Sequence, residues 1–177
     1  MENTRLLLIY LVTLLALLGV AAFFVILQVY KTRRVEGTLN RLQNKLTKDK
    51  GTAQEYYELG SLLLDKKLYS QATAQLKQAL KILAEDEIEN AAIIYNALGF
   101  AYFSQEQYDL AIRQYKEALQ ISPDYVTAFN NLGHSYERKQ LTSQALEAYE
   151  ESLKRDPQNK TAKRRAESLR KRLVPSN

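Results

Sequence analysis

The chain has 177 residues, 46% of them hydrophobic, with no cysteine, no tryptophan and one histidine, His134, which is room for one ordinary domain plus an appendage. Disulfides, zinc–thiolate sites, a cysteine nucleophile and metal sites built on paired imidazoles are thereby excluded. The net charge of +5 is segregated: residues 1–52 are net +5, residues 53–159 net −6 and residues 160–177 net +6, so the basic balance belongs to the flanks and argues against a nucleic-acid-binding domain.

The first predicted element is a membrane span. From Leu6 to Tyr30 there are 25 consecutive residues without a charge. As a helix rising about 1.5 Å per residue they reach roughly 37 Å, enough to cross a hydrocarbon core of about 30 Å with some tilt. Tyr10 and Tyr30 lie towards the two ends, where interfacial aromatics are favoured. A cleaved signal peptide would have a shorter apolar core ending at small residues, whereas here Phe23 to Leu27 follow the small residues without a break. Lys31, Arg33 and Arg34 come next, and basic residues flanking a span stay on the side from which it was inserted. Whatever follows the span is therefore expected to face the cytoplasm or its organellar equivalent.

Residues 31–52 read as a basic connector. Val35, Leu39, Leu42 and Leu46 make one apolar stripe at helical spacing, with Arg41, Lys45 and Lys48 elsewhere. Such a helix either lies against the domain that follows or rests on anionic lipid. Thr52 with Glu55 forms a capping box that starts a new helix at Ala53.

The rest of the chain repeats. Leu59-Gly60, Leu98-Gly99 and Leu132-Gly133 share one context. An aromatic precedes each Leu by three (Tyr56, Tyr95, Phe129), and Leu63, Tyr102 and Tyr136 follow each Gly by three. Ala72, Ala111 and Ala145 come twelve after each Gly, with Leu76, Tyr115 and Tyr149 four further on. Pro123 and Pro157 close the second and third units. This is the tetratricopeptide (TPR) pattern, with Tyr or Phe in the usual Trp place. It predicts an all-α fold in which three repeats, 53–86, 92–125 and 126–159, stack into a superhelix. Gly99 and Gly133 are 34 apart, but Gly60 and Gly99 are 39 apart, so five residues are inserted and are expected as an acidic turn at 87–91. A last helix over 160–174 has an apolar stripe of Ala162, Ala166, Leu169 and Leu173 and is coated elsewhere with Lys and Arg, as a capping element should be.

In a TPR stack the first helix of each unit lines the inner surface. The alignment offers Tyr57, Ser61 and Leu64 from the first unit, Asn96, Phe100 and Phe103 from the second, and Asn130, His134, Glu137 and Arg138 from the third. The surface is apolar and aromatic in the middle and polar at one end, which suits an extended or helical peptide. No nucleophile with a base, no phosphate-cradling loop and no metal-spaced ligand cluster competes, so no catalytic, cofactor or metal residue is expected.

A span, a basic connector, three TPR units and the tail from Lys163 to Leu173, together with Asp65-Lys66-Lys67-Leu68-Tyr69 and Asn131-Leu132-Gly133-His134-Ser135-Tyr136, resemble the membrane-anchored TPR photosystem I assembly factors of cyanobacteria and plastids. The resemblance implies a thylakoid membrane protein without a cofactor of its own, whose partners are photosystem I subunits or assembly intermediates. A membrane-anchored TPR import or targeting receptor and a general envelope scaffold are the alternatives. The carboxylate clamp of TPR cochaperones is missing: its places hold Tyr57, Ser61, Ala97, Thr127 and Asn131.

Overall fold

The computed structural model describes residues 2–83 and 88–173, and these contain helices and turns without a strand. The helices are α1 (Glu2–Lys48), α2 (Ala53–Asp65), α3 (Tyr69–Ile82), α4 (Ile88–Ser104), α5 (Tyr108–Ile121), α6 (Val126–Arg138), α7 (Thr142–Arg155) and α8 (Lys160–Leu173). The chain divides into two compact units between Lys45 and Leu46.

In the first unit the apolar run and the basic segment form one continuous helix. The large apolar side chains described between Leu6 and Tyr30 are exposed, Leu17 by 69% and Tyr30 by 71%. Each Leu or Phe left in water forgoes about 1.5–3 kcal/mol of burial, so the run calls for an apolar surrounding. By length and composition α1 can cross a membrane, with a mean hydropathy of 2.7 in its most apolar stretch.

In the second unit each helix packs on the next, and α2 touches α4 as α4 touches α6. α2, α4 and α6 thus form one layer and α3, α5 and α7 the other, as the TPR register requires. The capping box that opens α2 is made in both directions: the Glu55 N–H donates to Thr52 Oγ1 at 3.2 Å, and the Thr52 N–H donates to Glu55 Oε2 at 3.1 Å. Two of the four orphan donors of the first turn are satisfied this way. The last helix is capped by Asn159, whose Oδ1 accepts from the Ala162 N–H at 3.0 Å. α5 and α7 each stop two residues before a proline, Pro123 and Pro157.

The three glycines mark where the paired helices come closest. A Cβ on Gly60 would lie 2.8 Å from Leu76, one on Gly99 2.6 Å from the Tyr115 ring, and one on Gly133 2.9 Å from the Tyr149 ring. Leu76, Tyr115 and Tyr149 are themselves buried, as are Ala72, Ala111 and Ala145 beside them. Each unit is therefore a large side chain from its second helix pressed flat on a bare backbone of its first.

Two features differ from the sequence expectation or lie beyond it. Of the acidic turn expected at 87–91, residue 87 lies outside the described residues, but Ile88 to Ala91 belong to α4. The inserted residues lengthen a helix, giving α4 17 residues against 13 for α2 and α6, and Ala91, Ala92 and Ile94 bury apolar surface there. The turns inside the repeats also share a conformation that no glycine announces. Lys67, Glu106 and Gln140, each seven residues after the repeat glycine, have φ of 60°, 60° and 61°. Leu68 N–H bonds Leu63 C=O, Gln107 N–H bonds Tyr102 C=O and Leu141 N–H bonds Tyr136 C=O, at 2.9, 3.0 and 2.9 Å. These are Schellman turns closed by a left-handed residue with a side chain.

Candidate functional site

The inner layer brings the predicted surface residues of the second and third units into contact. Phe103 of α4 packs on the His134 ring of α6 at 4.7 Å between centroids and on Tyr108 at 5.4 Å. Asn131 Nδ2 donates to Asn96 Oδ1 at 3.0 Å, tying α6 to α4. Tyr125, which stands just before α6, lies near both Asn96 and Tyr57 of α2. Tyr57, Asn96, Tyr125 and Asn131 thus form a polar-aromatic group drawn from three units, tied by the Asn131–Asn96 bond. Burial first, then Tyr57, holds the Tyr125 hydroxyl above its ordinary range, with Asn96 opposing.

Phe100 stands apart from these. It is 43% exposed in the middle of α4, on the helix that contributes both Asn96 and Phe103. Leu64 and Phe103 pack on the core, and Ser61 is half-buried. Phe100 is therefore a large apolar group that this part of the surface offers to a partner, with Ile93 exposed to a lesser degree on the same helix.

The third unit uses its places differently. Asn130 Oδ1 accepts the Ser152 hydroxyl of α7 at 2.9 Å, and Ser152 is buried. Ser152 stands nineteen residues after its repeat glycine, where the other two units have Ala79 and Ala118. Glu137 accepts the Tyr149 hydroxyl at 2.7 Å and faces Arg165 of α8 at 3.4 Å. Burial, and after it the bond to Glu137, raises the Tyr149 hydroxyl far above its usual range. Asn130 and Glu137 are thus turned into the stack, which removes them from the list of free contact groups. Arg138 is exposed, lies over the Tyr108 ring at 5.1 Å and is 3.8 Å from Glu106. His134 is half-buried, and burial and then the Arg165 charge hold it below its ordinary value, against the pull of Glu137.

Tyr125 and Arg165 belong to this surface although the repeat alignment did not point to them. Tyr125 lies ahead of the helix, where the motif specifies nothing, and Arg165 belongs to the final helix, which carries no repeat glycine. On the other layer, a cleft of about 310 Å³ opens between α5 and α7, lined by Lys116, Phe129, Tyr136 and Glu147 among others. Lys116 lies 5.9 Å from the Tyr136 ring there, as Lys77 lies 5.6 Å from Tyr102 one unit earlier.

Residues 99–140 match a TPR repeat family, and residues 126–159 match the tetratricopeptide repeat. Over 121 residues the chain is 31% identical to the uncharacterized protein ycf37 of Pyropia yezoensis, covering 66% of this chain and 68% of that one. The chain belongs to the ycf37 family. It is also 41% identical over 107 residues to ycf37 of Cyanophora paradoxa, covering 59% of this chain and 60% of that protein. With the chloroplastic tetratricopeptide repeat domain-containing protein PYG7 of Arabidopsis thaliana it shares 40% identity over 121 residues, 68% of this chain. The chain spans only 40% of the length of PYG7. Among solved structures it is similar to MamA, with a TM-score of 0.72 and 22% identity over 80% of each chain. It is also similar to the first TPR of Spaghetti (RPAP3) bound to an HSP90 peptide, with a TM-score of 0.65 and 19% identity over 72% of this chain and 97% of that one. These likenesses establish the TPR fold, and a TPR stack is a protein–protein interaction scaffold. The chloroplast relatives together with the apolar α1 point to a plastid or thylakoid membrane setting.

Proposed function

We propose that this ycf37-family chain is a non-catalytic scaffold, anchored in the thylakoid membrane by α1, that assists the assembly or stability of photosystem I. Phe100 carries the reading. A large aromatic side chain left in water on the inner layer, flanked by the Asn96–Tyr125–Asn131 group, is the anchor that a peptide-binding surface needs. The photosystem assignment is supported by the resemblance of span, connector, repeats and tail to the assembly factors, and by a chloroplastic relative at 40% identity. The alternatives, an import or targeting receptor and a general envelope scaffold, would use the same surface on other clients.

Tethering gives the proposal its mechanism. Holding the stack at the membrane confines the search for a client to that surface and raises the effective concentration of the groove, so a weak contact suffices. Weak contact also lets an assembly factor leave the finished complex. Lys31, Arg33 and Arg34, basic residues directly after the span, favour the cytoplasmic or stromal side for the repeats. The test is affinity isolation of the tagged full chain from gently solubilised thylakoid membranes, with the bound proteins identified by mass spectrometry. Photosystem I subunits should be enriched over other membrane complexes. Their absence, with an import machine in their place, would overturn the assignment.

A further inference from the structure

We propose that α8 is the fourth wall of the binding groove, and that its basic flank receives the carboxylates of a client segment whose apolar residues sit on Phe100. The proposal rests on the groove reading above and names the chemistry of the segment bound.

Three observations place α8 at the groove. Arg165 approaches Glu137 of α6 at 3.4 Å, and its charge acts on His134, whose ring packs on Phe103. The surface that begins at Phe103 therefore runs through His134 to α8 without interruption. The repeat period points the same way: 34 residues after Asn130, Asn131 and Arg138 stand Arg164, Arg165 and Arg172. Helical spacing adds the third. Ala162, Ala166 and Leu169 are buried and fix the packed face. Thr161, Arg165, Ser168 and Arg172, at spacings of four, three and four, then share one flank. The opposite flank is spent inside the molecule, where Arg170 donates to Glu150 at 2.7 Å.

The charge on this end is only partly compensated. Arg138 faces Glu106 at 3.8 Å and Arg165 faces Glu137 at 3.4 Å, while α8 adds Arg164 and Arg172. Arg164 and Arg172 are exposed and form no ion pair among the described residues. Guanidinium groups bind carboxylates through paired, charge-assisted hydrogen bonds. The cochaperone clamp places are empty of such groups in the three repeats, so the acid-binding function would come from α8 instead. Arg165 on this flank borders the inner layer, where its charge acts on the His134 ring that packs on Phe103. An acidic peptide continuing from an apolar anchor is the occupant that fits both halves.

The experiment uses the full chain in nanodiscs of neutral lipid and a random peptide library. Peptides selected on the wild type should pair aromatic or aliphatic residues with Asp and Glu. Their affinity, read by fluorescence anisotropy, should fall about tenfold or more on Arg164→Gln with Arg172→Gln. It should fall similarly when the peptide carboxylates are changed to amides. Both arginines are exposed, and an unchanged thermal melt will show that the variant folds. Selected peptides without acid enrichment, or full affinity in the double variant while Phe100→Ala abolishes binding, would overturn the role of α8 and leave the groove standing. Indifference to Phe100→Ala, or no peptide selected, would instead overturn the groove reading. Hydrogen exchange supplies the last arm: protection of α8 by phosphatidylglycerol in the disc, lost in the double variant, would assign the flank to lipid and overturn the proposal.

Discussion

The second and third repeats place different chemistry on the same framework. Both press a tyrosine on a glycine, Tyr115 on Gly99 and Tyr149 on Gly133. In the second, the inner positions hold Asn96, Phe100 and Phe103, and Phe100 is left exposed. In the third, Asn130 is drawn in by Ser152 and Glu137 by the Tyr149 hydroxyl. A position in the motif is therefore an opportunity for contact and not an assignment. What the second helix of the unit offers decides whether the inner residue serves the stack or a partner. On the proposed reading the second repeat is the binding unit and the third links it to α8.

The largest effect expected from breaking this comparison is common to both units. Gly99→Leu should cost about 1–3 kcal/mol or more in urea denaturation, since the added side chain meets the buried Tyr115 ring. An unchanged midpoint would mean that the two helices do not meet at Gly99. Next comes a change that should matter in the third repeat alone. Glu137→Ala strips the buried Tyr149 hydroxyl of its acceptor, a loss of about 1–3 kcal/mol. Adding Tyr149→Phe should recover part of that loss, because both partners are then gone. Additive losses in the double variant would show that Glu137 acts elsewhere, through Arg165.

A smaller change runs the other way. Gln140→Gly relieves a side chain at φ 61° and should raise stability by up to about 1 kcal/mol, with Glu106→Gly doing the same in the second repeat. A loss in either would mean that the side chain contributes more than the turn costs. The smallest effect belongs to His134. Burial and Arg165 hold it below its ordinary 6.5 in the folded chain. As pH falls through 6.5 the unfolded chain takes up the proton first, so stability should decline below that pH and level off once the folded imidazole also titrates. His134→Gln should remove this slope, and since the chain has one histidine, comparing thermal melts of the two proteins isolates it. A wild-type melt that rises on acidification in this range would contradict the sign.

Much of this was legible in the sequence because glycine, alanine and aromatic spacing reports directly on how closely helices can approach. Gly60, Gly99 and Gly133 located the helix crossings, and Thr52 with Glu55 located a helix start from four letters. Three things were not legible. The left-handed turns at Lys67, Glu106 and Gln140 carry no glycine, so their common conformation shows only in backbone dihedrals. The inserted residues before Ala92 read as a turn by their charge, yet Ile88 to Ala91 are helical because Ala91, Ala92 and Ile94 find apolar partners. The inward turn of Asn130 depends on Ser152 twenty-two residues away, although serine in an alanine place was a visible hint.

The most direct measurement is site-specific crosslinking in intact thylakoid membranes. A photoreactive amino acid at Phe100 tests the inner layer, and one at Gln144, which lines the cleft between α5 and α7, tests the other. Crosslinks from position 100 to a photosystem I subunit, with none from position 144, are the predicted result. Crosslinks from position 144 alone would place the client in the opposite cleft and contradict the assignment of the second repeat as the binding unit.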